Sequence, residues 1–170
     1  MATNTAKYLS YAEAWRRINA ASKQDFHFEV VTLCESILSD RLLSYICGVN
    51  PKSKATTKTS FANLISEWRK LASGKIPQHG NVNLGAAIDD WRKERNAVVH
   101  SLTKSAPGMA PEPLQPFITR AKLAADSGVL LAKAVSNWHR KELRAYLKAQ
   151  NTRAVSKTVA NPSINTDAAR

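Results

Sequence analysis

Apolar residues recur at helical spacing along most of the chain, and no segment shows the alternation of a committed strand. A first helix is predicted from Tyr8 to Ala21. A second is predicted from Phe26 to about Ile46, with Asp25 as its N-cap and Gly48 as its stop. The apolar positions of this second helix form one broad arc, so we expect it to be the central and most buried helix.

Three further helices complete the predicted fold. A short helix is predicted from Ser60 to Ala72, with Ser60 as N-cap and Gly74 as stop. A fourth runs from about Asn83 to Lys104, and a last one from Leu114 to Gln150, with Gly128 as a weak point. Four prolines are expected to keep the intervening connection non-helical, namely Pro107, Pro111, Pro113 and Pro116.

The expected fold class is therefore all-α, organised as one helical domain over residues 8–149. The segment 150–170 is polar and without pattern, which predicts a disordered C-terminal tail. The chain has 170 residues and 44% hydrophobic content, enough for one domain with a core. No apolar run approaches the roughly 18 residues of a membrane span, and the N-terminus lacks the pattern of a secretory signal, so a cytoplasmic location without membrane contact is expected.

Charge narrows the class of partner. The chain has 25 basic and 13 acidic residues, a net charge of +12, and residues 118–170 alone contribute +7 from 10 basic and 3 acidic residues. Such an excess favours a polyanion, RNA above all, because neutralising phosphates releases counterions. The run Trp138-His139-Arg140-Lys141, followed by Arg144 and Lys148, could bind an RNA backbone beside an aromatic ring or be a solvated helix face.

The fourth helix concentrates the candidate chemistry. Arg92, Asn96, His100 and Lys104 recur every four residues and form one polar, basic ridge beside an apolar stripe. Arg95 falls at the centre of that stripe, where a positive charge is costly without an acidic partner or a second chain. The candidate partners on the second helix are Glu35 and Asp40.

Arg95, Asn96 and His100 supply a phosphate-binding cation, a polar orienting group and an imidazole, the side-chain types that can cleave RNA without a metal. Arg95 and His100 lie about 140° apart around the helix and about 7.5 Å apart along it. Each residue alone is more often a solvated or ion-paired helix residue; only their combination suggests a site. Histidine and cysteine spacings give no metal-binding pattern and there is no glycine-rich phosphate loop, so no metal or cofactor is expected.

The run Arg95-Asn96-Ala97-Val98-Val99-His100 resembles the Arg-x4-6-His signature of the HEPN superfamily (higher eukaryotes and prokaryotes nucleotide-binding). The Trp-Arg-Lys-Glu-Arg-Asn lead-in and the long second helix with Glu35 to Leu42 add to the likeness, which covers about Tyr8 to Lys148. The resemblance implies an antiparallel helical bundle that dimerises about a two-fold axis. The motif helices of the two chains would then build one composite, metal-independent ribonuclease site.

Many HEPN proteins are toxins or phage-defence effectors, and others are inactive interaction modules. The resemblance implies His100 as general base or acid, Arg95 as the group stabilising phosphate charge and Asn96 as the orienting group, with Arg92 and Lys104 steering RNA. HEPN toxins paired with a nucleotidyltransferase antitoxin often carry a tyrosine, the site of inhibitory adenylylation, two residues after the histidine. That position is Leu102 here, which argues against this control.

Two alternatives remain open at this point. The chain could be a non-catalytic basic helical dimer that binds RNA or a partner protein. It could also be a small accessory subunit of a defence complex, with its C-terminal tail as the contact. An antitoxin or defence-complex partner is expected under the nuclease interpretation.

Overall fold

A computed structural model describes residues 2–101 and 113–159 of the chain. Within these ranges the fold is almost entirely helical, which confirms the all-α prediction. No helix in the described ranges is long and apolar enough to cross a membrane. The elements in chain order are α1 (Ala2–Lys23), α2 (His27–Val49), α3 (Phe61–Leu71), β1 (Gln78–His79), β2 (Val82–Asn83), α4 (Leu84–Ser101) and α5 (Leu114–Val159).

Helix α2 lies at the centre of the bundle, packed against α1, α3 and α5, as its broad apolar arc predicted. Its inward face is fully buried at Leu38, Leu42 and Ile46, and each such side chain contributes about 1.5–3 kcal/mol on leaving water. Trp68 of α3 and Trp138 of α5 meet edge to face, with ring centroids 5.1 Å apart. These contacts bind α3 and α5 to the same core as α2.

The helix directions depart in part from the antiparallel bundle that was expected. Phe28 stacks on Phe117 and Tyr45 contacts Trp138, so α2 and α5 run in parallel. Helix α4 runs antiparallel to α5. Trp91 donates a hydrogen bond to the Ala124 carbonyl, whereas residues nearer the N-terminus of α4 face residues further along α5. The long chain between α2 and α5 contains α3 and α4, which gives it the room to return and start α5 in the direction of α2.

The helix ends confirm one predicted N-cap and show that a second predicted N-cap and one predicted helix stop were wrong. Ser60 caps α3, since its side chain accepts a hydrogen bond from the Asn63 amide at 3.3 Å. Asp25 does not cap α2: it adopts a left-handed conformation with φ 56°, and Phe26 takes the cap position with no side-chain bond. Gly48 lies inside α2, which continues to Val49 and ends directly before the Asn50-Pro51 pair.

Helices α1 and α5 are both longer than predicted. Helix α1 begins at Ala2 because residues 2–7 contain no glycine or proline. Pro116 falls in the first turn of α5, where no helical N–H is required of it, so it does not prevent helix there. Helix α5 continues to Val159 through a stretch without glycine or proline. Residues 150–159 of the predicted tail are therefore helical, and residues 160–170 lie outside the described part of the chain.

A two-stranded hairpin precedes α4, although no segment of the sequence shows the alternation of a strand. Gln78 pairs with Asn83 and His79 with Val82, across a turn in which Gly80 has φ 61°. The Asn83 side chain then accepts a hydrogen bond from the Gly85 amide at 2.8 Å, which satisfies an otherwise free N–H in the first turn of α4. The hairpin thus fixes where the motif helix begins.

Gly128 is a close-packing position in α5, not the weak point that was predicted. A Cβ atom at this residue would lie 2.8 Å from Cζ2 of Trp91 on α4. The Trp91 indole Nε1 donates a hydrogen bond to the Ala124 carbonyl at 2.8 Å. The missing side chain at Gly128 leaves room for the indole against α5, and this contact sets how closely α4 approaches α5.

Candidate functional site

The apolar stripe of α4 faces the core of its own chain. Leu84, Ile88, Trp91 and Val98 are all at most 3% exposed. The stripe predicted from sequence is therefore present, and its buried members pack against the other helices of this bundle. Its burial within one chain means that a second chain is not needed to cover these four residues.

Arg95 lies on this face with its charge offset by α2. The guanidinium Nη2 forms an ion pair with Glu35, and the two side chains are only 22% and 20% exposed. Its Nη1 donates a hydrogen bond to Asn96 Oδ1 at 2.8 Å, while its Nε is buried without a hydrogen-bond partner among the described residues. The predicted partnership with Glu35 is confirmed, and the pair explains how a charge is tolerated in the apolar stripe.

Asp40, the other candidate partner, belongs to a different cluster. Its carboxylate accepts a hydrogen bond from Tyr11 Oη and forms an ion pair with Lys7 at 3.0 Å. The Arg41 guanidinium lies 3.8 Å from the centroid of the Tyr11 ring, a cation–π contact. Burial, together with the hydrogen bond to Asp40, raises the pKa of Tyr11. Residues so distant in sequence gave no spacing signal for this cluster.

Asn96 and His100 have different surroundings. Asn96 is half-buried and its side-chain oxygen accepts from Arg95, so in this conformation it positions Arg95 and not the imidazole. His100 is exposed in the last turn of α4. Within the described part of the chain its side chain has no hydrogen bond to a neighbour. One chain therefore holds Arg95 fixed and leaves His100 open to solvent.

The predicted basic ridge of α4 carries little uncompensated charge within the described residues. Arg92 Nε donates to Asp89 at 2.9 Å, and this hydrogen bond lowers the pKa of the Asp89 carboxyl. Lys93 pairs with Asp90 at 2.8 Å. Helix α4 carries three basic and three acidic residues, a net charge of zero with histidine neutral. Lys104, the other predicted RNA-binding residue, lies outside the described residues.

A cavity of about 370 Å³ opens beside Glu35 between α2 and the start of α3. Its wall includes the Glu35 and Asp40 carboxylates, the apolar side chains Leu43, Phe61 and Leu64, and five hydroxyl side chains, namely Ser36, Ser39, Thr56, Thr57 and Thr59. The cavity gives Glu35 a polar, partly open side in addition to its ion pair with Arg95. The sequence gave no indication of this cavity, because its lining residues come from two separate parts of the chain.

The basic end of α5 differs from its sequence interpretation in one respect. Trp138 and His139 are 6% and 3% exposed, and the Trp138 indole donates to the Lys75 carbonyl at 2.9 Å. Neither ring can stack on a base without leaving the core. Burial, reinforced by the nearby Arg41 and Lys7 charges, lowers the pKa of His139 to about 4.

Neither metal ligands nor a disulfide is assembled by the described residues. No three histidine, cysteine, aspartate or glutamate side chains in those ranges cluster so as to hold a metal ion. Cys34 and Cys47 are free thiols, and burial raises the pKa of Cys34 to about 12. A thiol held protonated in this way is a poor nucleophile, so Cys34 is a core residue.

Comparisons of the chain with protein-family models, with curated proteins and with solved structures found no match. The resemblance to HEPN proteins therefore rests on the motif residues and their arrangement on α4. What the geometry adds is a half-buried arginine with a defined acidic partner and an exposed histidine on the same helix.

Proposed function

We propose that the protein is a metal-independent endoribonuclease of HEPN type. The observation that carries the proposal is the arrangement of Arg95, Asn96 and His100 on one rigid helix. Asn96 and Glu35 orient the guanidinium, and the imidazole is free to reach a substrate. Arginine presents five N–H donors, so donors remain for a phosphate even while Glu35 and Asn96 are bound.

The proposed reaction is attack of the ribose 2′-oxygen on the adjacent phosphorus. One imidazole takes the 2′-hydroxyl proton, the P–O5′ bond breaks, and a second imidazole gives a proton to O5′. The products are a 2′,3′-cyclic phosphate and a 5′-hydroxyl. Arg95 stabilises the charge on the pentacoordinate phosphate. Because the reaction uses two imidazoles and α4 carries one, the proposal includes a two-fold dimer that brings two copies of His100 to one phosphate.

The test is cleavage of total cellular RNA by the purified protein in excess EDTA. The parent is compared with Arg95→Ala, Arg95→Lys and His100→Ala, and with His79→Ala as a matched control in the hairpin. The nuclease predicts cyclic phosphate ends and losses of about 100- to 10,000-fold on removing His100 or Arg95, with His79→Ala near the parent rate. A folded His100→Ala protein that cuts as fast as the parent contradicts the proposal.

A second candidate has one observation in its favour. The described cations of α4 are already paired with carboxylates, which is the state expected of a helix that has a structural role. The alternative is a non-catalytic basic protein that binds RNA or a partner protein. It predicts salt-sensitive binding without cleavage, unchanged by His100→Ala.

Under the nuclease proposal the biological setting is a toxin or phage-defence effector in the cytoplasm. Its partner would be an antitoxin or a defence complex, and the regulator would act by a route other than modification of the position held by Leu102. Co-purification of the full chain with a partner that suppresses cleavage supports this setting. Unrestrained expression that does not slow growth of the host argues against it.

A further inference from the structure

If RNA is the substrate, something other than α4 must attract it. The described basic side chains of α4 are Arg92, Lys93 and Arg95, and each is paired with an acidic neighbour. The helix has no net charge, although the chain as a whole carries +12. A polyanion approaching α4 meets little positive potential there, since paired charges largely cancel beyond a Debye length of about 8 Å.

A compact group of unpaired positive charges lies on α5. Lys133, Arg140, Lys141 and Arg144 are all exposed, and none of the four forms an ion pair within the described ranges. At 100° per residue they fall within about 100° of one another around the helix, on one side over about 17 Å. We call these four residues the α5 stripe. Between residues 133 and 148 the only acidic residue is Glu142.

Glu142 does not interrupt the stripe. It falls about 100° or more from each stripe residue around α5, on the side of α2, where burial and then the Glu142 charge raise the pKa of Tyr45. Lys75 adds an exposed cation beside the stripe, because its carbonyl accepts the Trp138 hydrogen bond and so fixes its backbone against α5. Between residues 133 and 144 this side of α5 is therefore basic, and the one carboxylate in that span lies on another side of the helix.

The stripe and the motif lie at opposite ends of the bundle. The Trp91 indole donates a hydrogen bond to the Ala124 carbonyl, and from there α4 runs towards the N-terminus of α5. Arg95 therefore lies level with residues of α5 before Ala124, whereas the stripe lies after Ala124. Counting residues at 1.5 Å each gives about 20 Å between Arg95 and the nearest stripe residue, Lys133. An RNA strand that reaches both is longer than a dinucleotide or trinucleotide, at about 3.4 Å or more per nucleotide.

We propose that the α5 stripe is an RNA-holding surface, separate from the Arg95–His100 site, that binds the phosphate backbone of long RNA without reading its sequence. The inference rests on the proposed function for the identity of the polyanion. Trp138 and His139 are buried, so the surface offers charge and not base stacking. Binding through charge alone is strongly salt-dependent and tolerant of sequence.

The test compares two variants of equal net charge in the full chain. The stripe variant replaces Lys133, Arg140, Lys141 and Arg144 by glutamine. The control variant replaces four exposed lysines elsewhere by glutamine, namely Lys23, Lys52, Lys54 and Lys58. A variant with Arg140→Gln and Arg144→Gln alone is included in case the fourfold change alters folding, which circular dichroism checks.

Binding is measured by fluorescence anisotropy with a labelled single-stranded RNA of about 20 nucleotides, longer than the distance to be spanned. Its sugars are 2′-O-methylated, so the proposed reaction cannot cut it. The stripe variant is expected to bind at least about tenfold more weakly, with a slope of log K against log salt reduced by about 2 to 3. The control variant is expected to lose much less, and the double variant to fall in between.

Three binding results overturn the inference: equal losses in the stripe and control variants, parent-like binding by the stripe variant, or a stripe that binds phosphatidylglycerol vesicles but not RNA. Cleavage separates this inference from the proposed function. The stripe variant is expected to cut long RNA slowly and a trinucleotide at the parent rate. If the parent protein does not cut RNA, and the stripe variant still loses RNA binding relative to the parent, the nuclease proposal fails and the stripe inference stands. If both proteins cut long RNA equally, the stripe fails and the nuclease stands.

Discussion

Adding one methyl group at Gly128 tests how closely α4 and α5 are packed at Trp91. In Gly128→Ala the new Cβ would lie 2.8 Å from Trp91 Cζ2 and 3.0 Å from both Cε2 and Nε1, all shorter than ordinary van der Waals contact. The indole cannot retreat freely, because the Phe61 ring meets it edge to face with centroids 6.2 Å apart. Any shift also strains its 2.8 Å hydrogen bond to Ala124.

The expected magnitude follows from three contributions. Overpacking costs about 1–3 kcal/mol, and weakening a buried hydrogen bond costs about another 1 kcal/mol. Alanine recovers about 1 kcal/mol over glycine inside a helix. The free energy of unfolding of Gly128→Ala should therefore fall by about 2 kcal/mol, measured by urea denaturation followed by circular dichroism.

Gly48→Ala is the matched control. Gly48 also lies inside a helix, but a Cβ there meets nothing within 4 Å, so the substitution should stabilise by up to about 1 kcal/mol. The reasoning is refuted if both variants change stability in the same direction. A Trp91→Phe background sharpens the result: the smaller ring leaves room for the methyl, so the Gly128→Ala penalty should shrink in a double-mutant cycle.

Two further outcomes are expected. Glu35→Gln should lower the free energy of unfolding by about 1–3 kcal/mol, since it leaves Arg95 half-buried without its counter-ion. The double variant with Arg95→Gln should lose less stability than the sum of the two single variants. Strictly additive losses would contradict a stabilising interaction between Glu35 and Arg95. Because burial lowers the folded pKa of His139 from 6.5 to about 4, the contribution of this residue to stability should be constant above about pH 6.5. It should be lost as the pH falls from about 6.5 to 4, which lowers the free energy of unfolding by up to about 3 kcal/mol. His139→Gln should flatten that slope and His79→Gln should not, as measured by urea denaturation at a series of pH values.

Helix identity was predictable because burial imposes a 3.6-residue period on the sequence. The α2 arc and the α4 stripe both correspond to faces that are buried in the structure. The ends were less predictable, because a cap depends on backbone conformation as well as residue type. Ser60 has the extended backbone of an N-cap. Asp25 is an equally good N-cap candidate by residue type, but its φ of 56° does not allow it to cap α2.

The surroundings of the site were only partly predictable. Glu35 was one of two acidic candidates for Arg95, and helical spacing alone could not choose between Glu35 and Asp40 because their distances to α4 depend on the rotation of α2. Asp40 instead meets Tyr11, which lies 29 residues away in sequence. The neutralisation of Arg92 by Asp89 was accessible from spacing, since an i,i+3 pair on one helix is a local contact.

The Glu35–Arg95 pair also bears on how α4 is aligned along the bundle. Helix α4 packs mainly on α5 and α3, and a slip of one turn along them, about 5.4 Å, would still bury apolar surface against apolar surface. Such a slip would carry Arg95 away from Glu35 and leave two half-buried charges unmatched, which is far more costly than mismatched methyl groups. The pair thus selects one alignment among several that hydrophobic contact alone would permit. A sequence change that removed both charges could leave the bundle stable and yet allow its motif helix to settle a turn out of place.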